Sequence, residues 1–518
     1  MLGRRDPQGS LLGAIAQVGV AAVEKMGFYG KLALRGHAVF TDEDFAAAYC
    51  LDNGRPSVPP SMLAKARLLQ CYAGVSDAEV IERCRFDLRW KVVLDLDPSS
   101  IEAPFAKSTF QGFRARLTLH EQEGKAFERS VALARERGLL PAGMFVALDS
   151  SPVRGRGAVK DTFNLLSDAI AAVVRSVARQ KSEIVEETAG GAGLERHVAA
   201  GGSVKGSELV DWGNEEQVDA FLGRLLEDCE RAVQLAGEAE CGSEEAELLR
   251  RVIAQDVELG DPGEGTPRLK KGVAKDRIPS VSDPEMRHGR KSSGKTYSGH
   301  KAHVAVEETS GVITAVDISA PGDSDGEKVS TLIQQSEELS GSTVDQAVGD
   351  SAYSTAEAQK RAKERRIELR TKMPGPRKGL FGPGAFKLSE DLRSATCPAG
   401  HPSAKQYTTR DGILHEWSRK DCGSCPLKGR CTRSERRQVR ARLDFHDRRR
   451  RERWAESEEG RRLLRKRVVV EHAIGRIKNL GAGTARYFGR AKTKAQWLWT
   501  AAVVNLSLIW HQQTQAIA

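Results

Sequence analysis

The sequence predicts a mixed α/β fold with more than one domain, on three observations. The chain has 518 residues, which is longer than one ordinary domain. Its residues are 40% hydrophobic and 29% charged, a composition that is typical of folded proteins. Between residues 144 and 372, short β-branched runs alternate with amphipathic helical stretches. Two of those runs form a predicted hairpin, which excludes an all-parallel sheet.

The N-terminal part is predicted to be helical. Residues 58–140 contain two capping boxes, Ser76–Glu79 and Ser108–Gln111, each of which starts a predicted helix. Short helices with tight turns are compatible with a helix-turn-helix DNA-binding domain and equally with a plain helical bundle. We treat residues 1–57 as an N-terminal arm.

The predicted sheet is interrupted. Its first strand, 144–149, ends in Asp149. The segment 155–295 is interpreted as a helical, partly disordered insertion. It contains predicted helices around 161–182 and 215–236, a Gly/Ala-rich loop at 190–206 and a polar linker from about residue 260. The sheet core is therefore assigned to 141–154 and 296–375. Within it we predict a hairpin (299–306 and 312–318), a helix (326–339), a strand (343–349) that ends in Asp350, a helix (357–365) and a strand (366–372).

Charge is concentrated in one segment. The formal net charge is +10, and residues 428–467 alone hold 17 basic and 7 acidic residues. Most runs of charged residues are solvated helix faces, but the excess of positive charge in this run favours contact with nucleic acid. The densest cations are Arg448, Arg449, Arg450 and Arg451.

Four cysteines predict a structural zinc site. Cys397, Cys422, Cys425 and Cys431 have the spacing C-x24-C-x2-C-x5-C, which suits tetrahedral Zn²⁺, with His401 as the alternative to Cys397. The segment 376–460 is thus interpreted as a zinc-binding basic insertion. The irregular spacing of all nine cysteines, four of them close together, indicates reduced thiols and a metal more than disulfides, and hence a cytoplasmic protein. The longest apolar run near the C-terminus is too short and too interrupted to span a membrane.

Three carboxylates are candidate catalytic residues. Asp149 and Asp350 end predicted strands of one sheet, and Glu471 shares a helical face with Arg467 and Lys478, at spacings of four and seven. Hard carboxylate oxygens hold Mg²⁺ or Mn²⁺, and two such ions assist phosphodiester displacement. The alternative is that the aspartates are turn residues and that Glu471 merely pairs with Arg467.

These residues resemble those of bacterial insertion-sequence transposases with a DDE triad, most closely the group numbered eleven-eighty-two. The resemblance rests on four segments: Phe145–Ser151 for the strand of the first aspartate, 299–316 for the hairpin, Asp350–Tyr353 for the D-x-x-Y signature, and Arg467, Glu471 and Lys478 for the third signature. Related families place a tyrosine three residues before the arginine, where this chain has Leu464.

The resemblance implies a ribonuclease H-like mixed sheet with flanking helices, interrupted by insertions, after a helical N-terminal DNA-binding domain. Residues 461–518 would then hold the glutamate helix and the C-terminal helices. It further implies cleavage at the ends of a mobile element and joining of the 3′-hydroxyls to target double-stranded DNA, in a nucleoid-associated homodimer. Asp149, Asp350 and Glu471 would hold two Mg²⁺ ions, while Arg467 and Lys478 would contact phosphate. The rival hypothesis is a non-catalytic zinc-containing DNA-binding protein, such as a regulator or a decayed transposase.

Overall fold

The mixed α/β architecture predicted from the sequence is present in the computed structural model. The structure describes residues 1–5, 14–50, 52–199, 202–259, 266–292, 294–373 and 379–516. Its centre is a six-stranded sheet with strands β1 (Gly143–Arg154), β2 (Arg287–Ser292), β3 (Lys295–Glu307), β4 (Ile313–Ser319), β5 (Thr343–Gly349) and β6 (Glu368–Thr371).

The sheet is antiparallel on one side and parallel on the other. The long strand β3 pairs antiparallel with β1, β2 and β4. On its other edge β1 pairs parallel with β5, which pairs parallel with β6. The helix Val329–Ser340 supplies the crossover before β5, and Ala356–Glu364 supplies the one before β6. The predicted hairpin and the two following strands therefore all lie in this sheet.

The N-terminal helices share one hydrophobic core with the sheet and with the C-terminal helix Arg490–Ala516. Asn505, a polar interruption of that apolar helix, is buried against β4. Its side-chain amide accepts a hydrogen bond from the Ile313 amide (2.9 Å) and donates to the Ile313 carbonyl (2.9 Å). The helices before β1 are Ala14–Val18, Val20–Glu24, Phe28–Arg35, Pro60–Ala73, Asp77–Phe86, Leu88–Leu94, Lys107–Leu119 and Lys125–Glu136. Among the described residues, no helix has the length and apolar character that crossing a membrane requires.

The segment between β1 and β2 is a helical insertion with a hydrophobic core of its own. Asp161 and Asn214 cap its two long helices through side-chain bonds to backbone amides. The predicted irregular loop at 190–206 is largely helical, and the predicted linker contains β2, so both interpretations need correction. The helices are Thr162–Lys181, Val185–Ala192, Glu195–Val198, Glu215–Glu238 and Ser243–Asp256.

The cysteine-containing segment forms a small antiparallel sheet of strands β7 (Lys405–Thr409), β8 (Gly412–Glu416) and β9 (Gln438–Arg442). Two short helices, Arg419–Gly423 and Lys428–Cys431, lie between β8 and β9. Trp417, Phe386 and Val439 form its separate core. The chain then returns to the central sheet through the helices Phe445–Glu456, Glu458–Arg465 and Val468–Ile477.

Candidate active site

The strand register brings Asp149 and Asp350 to the same level of the sheet. In the parallel pair of β1 and β5, Ala147 lies opposite Val348, and each aspartate follows two residues later. Pairing between the two strands stops there, because β5 ends at Gly349. β1 itself does not end at Asp149, as the sequence predicted, but continues to Arg154 along β3. The carboxylate therefore projects where two neighbouring strands diverge.

Glu471 reaches the same place from a helix. The glutamate helix, Val468–Ile477, packs on β1 and β3 through buried apolar side chains, including Val470 and Ile474. Arg467, at its start, donates from Nη1 to Asp149 Oδ2 (3.0 Å) and from Nη2 to Glu471 Oε1. One guanidinium thus joins the first and third carboxylates. The Glu471 side chain remains 47% exposed, so it is open to a ligand.

The electrostatics of Asp149 reflect its burial first and the neighbouring carboxylates second. Burial raises its pKa to about 6. The hydrogen bond from the Ser150 amide (2.8 Å) and the charge of Arg467 lower the pKa, whereas the charges of Asp350 and Glu471 raise it further. Carboxylates that repel one another in this way are poised to gain from a cation between them.

Lys478 lies near Asp149, and Lys291 lies near Lys478. Burial lowers the pKa of Lys478, the charge of Lys291 lowers it further, and the charge of Asp149 opposes both effects. Lys478 was expected beside the site from its helical spacing. Lys291, on the edge strand β2, was not expected, since it lies in a polar stretch that gave no strand signal.

A further polar network lies next to Asp149 and begins at the neighbouring residue Ser150. The Ser150 hydroxyl donates to Asp325 Oδ2 (3.0 Å), and Lys301 donates to Asp325 Oδ1 (2.9 Å). Asp325 follows the hairpin in the sequence, and the structure ties it to the residue after Asp149. No sequence signal shows this contact, because it joins residues that are distant along the chain.

Tyr353 of the D-x-x-Y signature is a packing residue. Its ring is fully buried, and a Cβ atom at position 349 would lie 2.9 Å from it, so Gly349 allows the ring to pack against the strand end. Burial, followed by the charges of nearby carboxylates such as Asp325 and Asp149, raises the pKa of Tyr353 well above its usual value.

The four consecutive arginines do not form one surface. They lie on the helix Phe445–Glu456, called the arginine helix below, where successive residues point in different directions. Arg448 and Arg449 line a groove that leads to Arg467, whereas Arg450 and Arg451 line a second groove beside Trp454.

The four predicted zinc ligands share one pocket. Cys397, Cys422, Cys425 and Cys431 line it together with His401. The His401 amide donates to Cys397 Sγ (3.3 Å), and the Arg437 amide donates to Cys422 Sγ (3.4 Å). Burial raises the pKa of Cys431, and the other three thiols act in the same direction, while Arg437 lowers it.

The chemistry of both donor sets fits the expected metals, although the side chains are not arranged around an ion. Four thiols, of which Cys397 and Cys422 receive backbone amide hydrogen bonds, suit Zn²⁺, and carboxylates that repel one another suit Mg²⁺. As the side chains stand, no group of three or more His, Cys, Asp or Glu residues in the described ranges has the arrangement of a metal site.

Two families match parts of the chain. A family described as "Transposase DDE domain" matches residues 396–510, and one described as "Transposase domain (DUF772)" matches residues 34–116. Both support an insertion-sequence transposase. The first range includes the four cysteines and Glu471, whereas Asp149 and Asp350 lie outside both ranges. No curated protein and no solved structure matches the chain significantly.

Proposed function

We propose that this chain is a DDE transposase that cleaves the ends of an insertion sequence and joins the freed 3′-hydroxyls to target DNA. One observation carries the proposal: Asp149, Asp350 and Glu471 come from three separate segments and converge at one end of the central sheet. The family matches on either side of the first two residues support the same class of enzyme. The mixed sheet with β1 at its centre supports a ribonuclease H-like catalytic domain.

The three carboxylates would hold two Mg²⁺ or Mn²⁺ ions. When bound, such ions make the attacking oxygen more acidic and neutralise the leaving oxygen. The protein's own part is positional: strand β1 fixes Asp149, and the packed helix fixes Glu471. Arg467 balances their charge in the absence of substrate, and with Lys478 it would contact the phosphates beside the scissile bond.

DNA binding extends beyond this centre. Arg448, Arg449, Arg450 and Arg451 would contact phosphates, and the helices within 58–140 would contact the element ends. Zn²⁺ on the four cysteines would stabilise the segment that carries the arginine helix. Synapsis of two ends favours a homodimer, acting on chromosomal DNA in the cytoplasm.

The test is strand cleavage on a plasmid that carries the coding sequence with its native flanking DNA. We expect cleavage with Mg²⁺, and we expect Asp149→Asn, Asp350→Asn and Glu471→Gln each to lower its rate by more than about a thousandfold. DNA binding in a gel-shift assay should be retained, since the shape changes little.

Glu247→Gln is the matched control. Its carboxylate lies exposed on the insertion, paired with the exposed Arg250, so cleavage should proceed at the wild-type rate. Wild-type cleavage by any of the three triad variants would refute the assignment. Absence of cleavage by the wild-type chain, with DNA binding intact, would favour the non-catalytic DNA-binding protein.

A further inference from the structure

A groove adjoins the candidate active site, because Gly349 and Arg467 belong to its lining. It has a volume of about 1070 Å³ and runs between the small β-sheet of the cysteine segment and the arginine helix. One end is lined by Gly349, which precedes Asp350, and by Arg467, which binds Asp149 and Glu471. A DNA strand that has its phosphate at the carboxylates can therefore continue into this groove.

The walls are strongly cationic. Nine Lys and Arg residues line the groove against three acidic residues. Several of the nine are already engaged, such as Arg449, which binds Glu452 (2.6 Å). Lys372 and Arg465, by contrast, are exposed and have no side-chain partner within the described part of the chain. Uncommitted cations on a concave wall are the expected contacts of successive phosphates.

Apolar side chains also line the groove, which argues for unpaired bases. Met373, Leu380, Phe381 and Leu464 line it beside the cations. The bases of a duplex are paired and stacked internally, so a duplex would leave this apolar surface without partners. A single strand offers both phosphates and free base faces, and an aromatic side chain such as Phe381 can stack on one of them.

We propose that this groove binds a single DNA strand that leaves the active site, with its phosphates on Lys372 and Arg465 and a base against Phe381. The proposal rests on the proposed transposase function for its biological role. Its binding chemistry rests on the charge and the apolar lining of the groove alone.

The experiment measures binding of a fluorescein-labelled oligothymidylate about ten nucleotides long by anisotropy at several salt concentrations. The full-length chain carries Glu471→Gln, so that cleavage plays no part. We expect the double variant Lys372→Gln/Arg465→Gln to weaken binding about tenfold. The slope of log affinity against log salt should fall by about 1.4, the value for two lost single-strand contacts.

The matched control is Arg175→Gln/Arg179→Gln, two exposed arginines of the insertion, which should leave affinity and slope unchanged. Phe381→Leu keeps an apolar side chain but removes the aromatic face, and it should weaken binding about fivefold or more. A duplex of equal length should respond much less to both groove variants.

Unchanged single-strand affinity in the Lys372/Arg465 variant, or an equal loss for the duplex, would overturn the proposal. The cleavage assay of the previous section is independent of this outcome. A chain that binds the single strand here but cuts no DNA would contradict the transposase function and leave the groove assignment standing.

Discussion

Arg467 determines the charge balance of the candidate active site. The sequence left open whether Glu471 pairs with Arg467 or belongs to a catalytic centre, and the structure contains the pair together with a second bond to Asp149. The two interpretations are therefore compatible. Even with this cation beside it, the pKa of Asp149 is raised, because burial outweighs the attraction to Arg467.

The raised pKa makes Asp149 a destabilising residue at neutral pH. Its folded-state pKa of about 6 exceeds the ordinary value of 3.8, so the cost of ionising it in the folded chain appears as pH rises from about 4 to 6. We expect Asp149→Asn to raise the free energy of unfolding by about 2–3 kcal/mol at pH 8. Urea unfolding at pH 8 measures this gain.

The gain should disappear at acidic pH, where the folded and unfolded chains both carry a protonated Asp149. Glu247→Gln, at an exposed position, serves as the control and should change stability little at either pH. An Asp149→Asn variant that is less stable than wild type at pH 8 would show that Asp149 contributes favourable charge interactions instead.

At the scale of single elements, the capping box predicted at Ser76–Glu79 is present, whereas the one predicted at Ser108–Gln111 is not, because that helix already begins at Lys107. The helix predicted at 161–182 occupies Thr162–Lys181, and Asp161 caps it. The edge strand β2 was missed because Arg287–Ser292 contains no apolar residue, a composition that protects exposed sheet edges but carries no strand signal. Its membership in the sheet depends on pairing with β3, which local sequence does not encode.

The part of the candidate site that lies on one helix was predictable, because residue spacing along a helix determines which side chains share a face. Arg467, Glu471 and Lys478 were placed on one helical face, and Arg467 and Lys478 both interact with Asp149 in the structure. The contact of Asp325 with Ser150 was not predictable, because it depends on how the segment after β4 packs against β1, which is distant in sequence.

The cysteine segment gives a prediction at the same scale. We expect the purified chain to contain one Zn²⁺, and we expect Cys422→Ser to lose it and to lower the melting temperature, since its small core has few buried side chains. Metal analysis by mass spectrometry measures the zinc content. Cys50→Ser, at an exposed cysteine outside the segment, is the control.

A wild-type chain without zinc, or full zinc content in Cys422→Ser, would contradict this assignment. Retention of zinc in Cys397→Ser alone would instead identify His401 as the fourth ligand, the alternative that the spacing left open.

Across the whole molecule, charge is segregated. Residues 161–259 of the helical insertion contain 9 basic and 21 acidic residues, whereas residues 428–467 contain 17 basic and 7 acidic ones. The modest net charge of +10 conceals this contrast. Such a distribution orients DNA toward the basic side of the molecule and away from the insertion.

The domain boundaries drawn from the sequence stay predictions, but the core shows why they were hard to draw. Phe28 and Leu32 of the N-terminal arm, Phe113 of the helical segment and Val146 of β1 belong to one continuous hydrophobic core. Apolar periodicity identifies which residues are buried, but it does not show which elements bury them.

The central claim is that Asp149, Asp350 and Glu471 form one cation site, and metal-directed backbone cleavage tests it most directly. Fe²⁺ replaces Mg²⁺, and ascorbate with peroxide generates radicals that cut the polypeptide near the bound iron. We predict cuts in the polypeptide near all three residues. Excess Mg²⁺ should suppress these cuts by competing with Fe²⁺, and all of them should disappear in the Asp149→Asn variant. Cuts near only one of the three, or cuts that persist unchanged in Asp149→Asn, would contradict the account.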